Sequence, residues 1–240
     1  MIRIFLQVSV SMDPMKCILF DIDGTLIHSH THHNQFYRET IQEILGLDPK
    51  TIPWESFTNI TDDGVVRDVY LHHFQEVIEE DRFLKFKKTF TEKIQRSIEE
   101  DPSLYPEISG AGRFLDSLEE KNIPFGIITG SWLIPAREKT KNARIDIEKY
   151  PISTSEDAPD RNGIILETLK KLKSLHSIEE FSEVIYFGDG LWDWRASREL
   201  GLKFIGINSM GNDLLKKNGV PTVFQDYLEK DKIFREIGIV

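Results

Sequence analysis

An unbroken apolar run that ends in paired carboxylates, CILFDIDGTLI at residues 17–27, constrains this chain more than any other stretch. Cys17, Ile18, Leu19 and Phe20 suit a central strand buried on both faces of a parallel sheet, where the usual alternation of polar and apolar residues is lost. Asp21 and Asp23 close the run. At spacing i, i+2 on nearly extended backbone two side chains project the same way, so both carboxylates address one ligand. Gly24 then lets the chain turn away. Two carboxylates on one face repel unless a cation lies between them or one keeps its proton. Mg²⁺ resolves that tension, because it takes a few carboxylate oxygens together with waters and substrate phosphate oxygens. Taken alone, Asp23-Gly24 is also a turn signal and Asp21 a strand terminator.

The length, 240 residues, fits one mid-sized domain or a domain with an insertion, and 40% apolar residues can fill its core. Thirty Lys and Arg against 40 Asp and Glu give a formal charge of -10, so there is no general electrostatic pull toward nucleic acid, and a small anionic substrate needs local compensation. Cys17 is the single cysteine. It excludes an intrachain disulfide and a cysteine-based zinc site and suits a reducing cytosol. The leader at residues 1–14 has no clear small-residue cleavage site and reads as no export signal. No run of 18 apolar residues occurs, so no membrane span is expected.

After Ile27 the pattern turns helical until about Tyr105. Phe36, Tyr37, Thr40, Ile41, Ile44 and Leu45 recur at helix spacing and stop at Gly46. A second helix follows Asp62, with Val65, Val66, Val69, Tyr70, Phe74, Val77 and Ile78 on one face; a third carries Phe83, Phe86, Phe90, Ile94 and Ile98. From Gly110 the rhythm is α/β. Strands are expected at residues 124–129, near Ile152, at 184–189, at 204–208 and near Val223, with helices between them, including residues 164–175 and a final helix in the tail. The reading is an α/β fold: a doubly wound, mostly parallel sheet formed by residues 1–27 and 106–240, with an all-helical insertion at residues 28–105. Ligands in such sheets bind beyond the carboxyl ends of the strands. Asp21, Asp23, Thr129 and Asp189 all fall at such ends.

These residues resemble the haloacid dehalogenase superfamily, in its phosphatase branch with a helical cap after the first strand. The first motif matches as Asp21-Ile-Asp23-Gly24-Thr25, the second as hydrophobics followed by Thr129-Gly130, the fourth as Gly188-Asp189-Gly190 with Asp193. The resemblance implies Mg²⁺-dependent phosphoryl transfer through an aspartyl-phosphate, with a small phosphorylated metabolite as substrate. Asp21 is then the nucleophile and Asp23 the acid and base, its carbonyl also reaching the metal. Asp189 and Asp193 complete the metal site, and Thr129 and Gly130 bind the phosphoryl oxygens. The family's third motif is usually a lysine. Here the matching region, residues 155–163, holds none, and Arg161 is the expected cation, with Lys139 and Lys141 as competitors.

Each assignment has a plainer counterpart. Ser131 reads better as the N-cap of the next helix, Asp193 also fits an N-cap before residues 194–200, and Arg161 also fits a solvated first helical turn. His28, His30, His32 and His33 stand at the entrance to the insertion, where substrate contact or solvent exposure is expected before a metal cluster. Trp192 and Trp194 read as core or pocket wall, and the Asp62-Asp63-Gly64 and Arg67 stretch as a helix cap, with a specificity element over the active site as the lesser alternative. The nearest rival function is a phosphomutase on the same scaffold. A non-catalytic binding protein that kept the fold is the rival from another class.

Overall fold

In the computed structural model the described residues are 15–57 and 60–239, so the leader at residues 1–14 lies outside them. The strands are β1 (Lys16–Phe20), β2 (Phe125–Ile128), β3 (Ile152–Ser153), β4 (Glu183–Gly188), β5 (Lys203–Ile207) and β6 (Val223–Phe224). They form one sheet in the order β3-β2-β1-β4-β5-β6, and every pairing is parallel. This is the doubly wound α/β sheet expected from the alternating pattern. The order reverses at β1, so the crevice beyond the carboxyl ends of β1, β2 and β4 is the natural ligand site.

β1 shows why its sequence is apolar throughout. Ile18 and Phe20 join one core cluster with Phe114 of α4 (Ala111–Glu120) and Phe234 of α9 (Lys230–Glu236). Cys17 and Leu19 join the other, with Ile164 and Leu172 of α6 (Arg161–His176) and Ala196 of α7 (Leu191–Glu199). Both faces are covered by helices, so neither set of side chains meets water. Two further helices complete this part, α5 (Leu133–Asn142) after β2 and the short α8 (Leu214–Lys217) before β6.

Between β1 and α4 lie α1 (His30–Thr40), α2 (Asp62–Phe74) and α3 (Glu80–Glu100), with no strand among the described residues of this stretch. α1 runs into a π-helical turn at Ile41–Leu45 and stops at Gly46, whose φ of 72° only glycine adopts freely. α2 is shorter than the apolar pattern suggested. Gln75 takes a left-handed conformation and closes it, leaving Val77 outside the helix and exposed while Ile78 is buried. α3 buries Phe83, Phe86, Phe90 and Ile94 at the expected spacing. The two chain segments that enter and leave these helices are tied together: His28 N–H donates to Pro106 O at 2.9 Å and Ile108 N–H to Leu26 O at 2.8 Å.

The inserted helices are anchored to the sheet layer by Trp132, which precedes α5. Its fully buried indole lies 5.7 Å from the Phe90 ring and within 6.4 Å of Tyr37, Phe83 and Phe86, and its N–H donates to Asp63 at 3.2 Å. Truncating so large a buried side chain typically costs about 3 to 5 kcal/mol. Trp132→Ala is therefore expected to lower stability by that amount in urea titration. A change below about 1 kcal/mol, the ordinary size for a surface substitution, would contradict the anchoring role.

Candidate active site

Parallel pairing brings the carboxylates together. Phe20 of β1 stands opposite Phe187 of β4, and Asp21 N–H donates to Phe187 O at 3.0 Å. Asp21 and Asp189 thus leave two neighbouring strands at the same rim. Asp21 is buried, with each oxygen engaged: Arg161 Nη1 donates to Oδ1 at 3.0 Å and Thr25 Oγ1 to Oδ2 at 3.3 Å. Burial, then the nearby Asp193 carboxylate, push its pKa up against the pull of Arg161. Arg161 opens α6 behind the N-cap Asp160, and it is not the solvated residue its sequence position allowed. Its guanidinium also reaches Asp193, with Nε 3.3 Å from Oδ1.

Asp23 faces a different cation. Lys139, fully buried in α5, pairs with Asp23 Oδ1, and Ser29 Oγ donates to the same oxygen at 2.5 Å. Burial raises the Asp23 pKa, but Lys139, His33 and the Ser29 hydroxyl outweigh it and hold the carboxyl well below the usual range. Lys139 and Arg161 therefore do not compete for one place. Each neutralises a different aspartate of the first motif. Lys141 is exposed.

Asp189 follows β4 and is approached by His30, whose Nε2 lies 2.5 Å from Oδ2. Burial alone lowers the His30 pKa, but the Asp189 carboxylate raises it to about 9. Gly24 makes this approach possible: a Cβ there would stand 2.0 Å from Asp189 Oδ2 and 2.2 Å from His30 Nε2. Asp193 is fully buried at the third position of α7, not its N-cap, and its Oδ2 accepts Gly190 N–H at 3.0 Å while Tyr186 OH donates to Oδ1 at 2.6 Å. Carboxylate oxygens of Asp21, Asp189 and Asp193 all lie within 4.8 Å of one another. Asp189 Oδ1 is buried without a hydrogen-bond partner. An all-oxygen donor set with one unsatisfied buried oxygen fits a hard divalent cation such as Mg²⁺.

The second motif follows β2. Thr129 and Gly130 border the same cavity as Asp21 and Asp23. Gly130 is a close-approach position, since a Cβ would lie 2.8 Å from Ile60 O and 3.2 Å from Arg161 Nη2. Ser131 is not the cap of α5. Its hydroxyl donates to Asp62 Oδ2 at 2.8 Å, and the same oxygen accepts Trp132 N–H at 3.2 Å, so a carboxylate from the inserted helices holds the residues just before α5 across the cleft, while Glu156 Oε2 accepts the first α5 amide, Leu133 N–H, at 2.8 Å. Asp62 Oδ1 is 3.0 Å from His33 Nε2, and His33 Nδ1 is 3.2 Å from Lys139 Nζ. An ammonium only donates, so Nδ1 accepts and the Nε2–H donates to Asp62. His30 and His33 are thus built into the charge network, whereas His28 is exposed and His32 packs near Tyr105.

Asp21, Asp23, His30, Thr129, Gly130 and Arg161 border one cavity of about 290 Å³ between the sheet rim and the inserted helices. The motifs include neither Asp62 nor the two histidines. The available signal was the Asp-Asp-Gly start of α2, which reads equally as a helix start wherever it points.

Comparison with known proteins agrees with this geometry. A family model described as haloacid dehalogenase-like hydrolase matches residues 18–207. Among solved structures, a hydrolase from Pseudomonas syringae is 23% identical with a TM-score of 0.70, over 92% of this chain and 98% of that one. A protein assigned as a beta-phosphoglucomutase in Bacteroides vulgatus is 18% identical, with a TM-score of 0.68 over 93% and 89%. A predicted phosphoglycolate phosphatase from Haemophilus somnus is 16% identical, with a TM-score of 0.61 over 92% and 99%. A comparison with curated protein sequences yields no significant match. At these identities the solved structures speak for the fold, while the family model covers most of the chain together with the rim aspartates at positions 21, 23, 189 and 193. The chain belongs to the haloacid dehalogenase-like hydrolase family.

Proposed function

We propose that the protein is a cytosolic, Mg²⁺-dependent phosphatase that hydrolyses a small phosphate monoester through an aspartyl-phosphate on Asp21. The observation that carries this reading is the Asp21 carboxylate, buried at the sheet rim between Arg161 and the Asp189–Asp193 pair. Asp21, Asp189, Asp193 and the carbonyl of Asp23 would hold the ion. When bound, it neutralises charge on the phosphoryl and carboxylate oxygens. The lone buried Cys17 suits a reducing compartment.

Asp21 attacks phosphorus through a carboxylate oxygen, forming an acyl phosphate as the ester P–O bond breaks. Arg161 accompanies that oxygen and offers its remaining N–H groups to the phosphoryl oxygens. The Thr129 hydroxyl and Gly130 N–H complete the cradle. Asp23 protonates the leaving oxygen, then takes a proton from the water that attacks the acyl phosphate and releases inorganic phosphate. Lys139 makes the ionised carboxylate the resting form of Asp23. The acid step therefore needs Asp23 first to take up a proton from solvent as the Lys139 contact loosens, and giving that proton to the leaving oxygen regenerates the carboxylate that serves as base. Residues 28–105 form the cap that excludes water during both steps.

Asp21→Asn keeps the shape and loses the nucleophile. Turnover of a phosphate-monoester panel is expected to fall more than about 100-fold, or roughly 2.7 kcal/mol, and chelation of divalent ions should silence the wild type. A binding protein that had kept the fold would turn over no ester in either form. Arg161→Ala is expected to lose about 2 to 4 kcal/mol of transition-state stabilisation, with Arg161→Lys recovering part. Unchanged kcat/KM in Arg161→Ala, with Lys139→Ala inactive, would move the phosphoryl-binding cation to Lys139.

A further inference from the structure

Beyond the catalytic groups, the cavity has a wall of unexpected chemistry. Tyr37, Trp54, Phe57, Ile60 and Val65 line it from the inserted segment, and Trp192 faces it from the sheet side. An alcohol with several hydroxyls would bury them unpaired against such a wall, which costs more than the contact returns. Trp54 is a fixed surface. Its indole N–H donates to Pro49 O at 2.9 Å, the Arg38 guanidinium lies 4.2 Å from the ring centroid, and Phe57 meets it edge-on at 6.5 Å. A ring held in this way loses no rotamer freedom when a ligand arrives. Trp192 lies against the backbone at Gly190, where its indole occupies the space a side chain would take.

Two indoles facing one cavity, together with a volume of about 290 Å³, define what fits. Small-molecule sites run from about 300 to 1,000 Å³, so this one is small. Once a phosphoryl group sits beside Asp21 and Arg161, the remaining space suits a single ring. Several polar groups on the insert side, Asn34 apart, are committed elsewhere. The Tyr37 hydroxyl donates to Asp62 O at 2.6 Å, and His33 and Asp62 are paired within the network described above. Arg38, stacked on Trp54 at the exposed mouth, has no ion-pair partner among the described residues. It extends the platform with a flat cationic edge.

Resting on the phosphatase reading, we infer that the substrate is a phosphate monoester with a flat, monocyclic aromatic body, and that Trp54 is its specificity-determining contact. The test uses four esters with primary alkyl leaving groups, so that chemistry is similar across the set: benzyl phosphate, glycerol 1-phosphate, 2-phosphoglycolate and glucose 6-phosphate. Benzyl phosphate is expected to exceed the others in kcat/KM by about tenfold or more, the size of one buried aromatic contact. In Trp54→Ala that ratio should collapse toward one through KM, and Trp54→Phe, which keeps a ring, should retain most of it. Preference for any polar ester, or equal losses on all four esters in Trp54→Ala, overturns the aromatic site and leaves the phosphatase reading intact. If no ester is turned over, the phosphatase reading fails by itself. Calorimetric binding of benzylphosphonate against 2-hydroxyethylphosphonate then decides the aromatic site: tighter binding of the aromatic ligand, lost in Trp54→Ala, supports it, and equal affinities reject it.

Discussion

Like-charge repulsion at one sheet rim is the constraint on which the rest of this structure depends. Asp21, Asp23, Asp189 and Asp193 gather where β1 and β4 end, and their charges at such distances are tolerable only with cations among them. The protein supplies those cations from three separate elements: Arg161 from the start of α6, Lys139 from within α5 and His30 from the start of α1. Removing one partner of such a pair leaves a buried charge uncompensated, which costs more than the pair itself contributes. The sheet order, the two crossovers beside β1 and the entry of the inserted helices are therefore coupled to one electrostatic balance.

The balance is also selective. Asp21 and Asp23 are two residues apart, yet their environments push their pKa values in opposite directions, up for Asp21 through burial and Asp193, down for Asp23 through Lys139. A planar guanidinium suits the first place because it must reach Asp21 through Nη1 and Asp193 through Nε at once. A lysine ammonium is one point charge and serves one carboxylate in this geometry, as Lys139 serves Asp23. An arginine at position 161 thus suits the buried position of Asp193 beside Tyr186.

Much of this was legible before any coordinates. Continuous apolar runs such as residues 17–20 and 184–187 mark strands covered on both faces, and acidic residues directly after them mark the rim. What the sequence concealed was cross-element contact. Lys139 sits in a helix of mixed composition with basic neighbours, so nothing local distinguishes the buried lysine from the exposed Lys141. Ser131 has the residue type of an N-cap, but its hydroxyl donates to Asp62, distant in sequence, and the first α5 amide is accepted by Glu156. His30 and His33 look like solvated residues of a polar helix start until the fold turns that face toward the rim. The end of α2 at Gln75 was hidden because Val77 and Ile78 extend the apolar spacing past a residue in the left-handed conformation.

The contacts of Asp62 join the inserted helices to the chemistry. One carboxylate accepts from the Ser131 hydroxyl, the Trp132 amide and His33, and His33 in turn accepts from the lysine that holds Asp23. Separating the inserted helices from the sheet would release the Ser131 hydroxyl and the Trp132 amide from Asp62, remove the support of Lys139 and draw His30 away from Asp189. All three changes act on the same rim charges. If the insert moves as the proposed cap, its separation from the sheet and the charge balance of the rim are coupled, and a bound dianionic phosphate would add to the negative charge there. On the proposed phosphatase reading, an incoming phosphoryl group would strengthen the demand for the cations that α1 and α5 carry, and electrostatics would favour the arrangement in which the Trp54 wall faces the ligand.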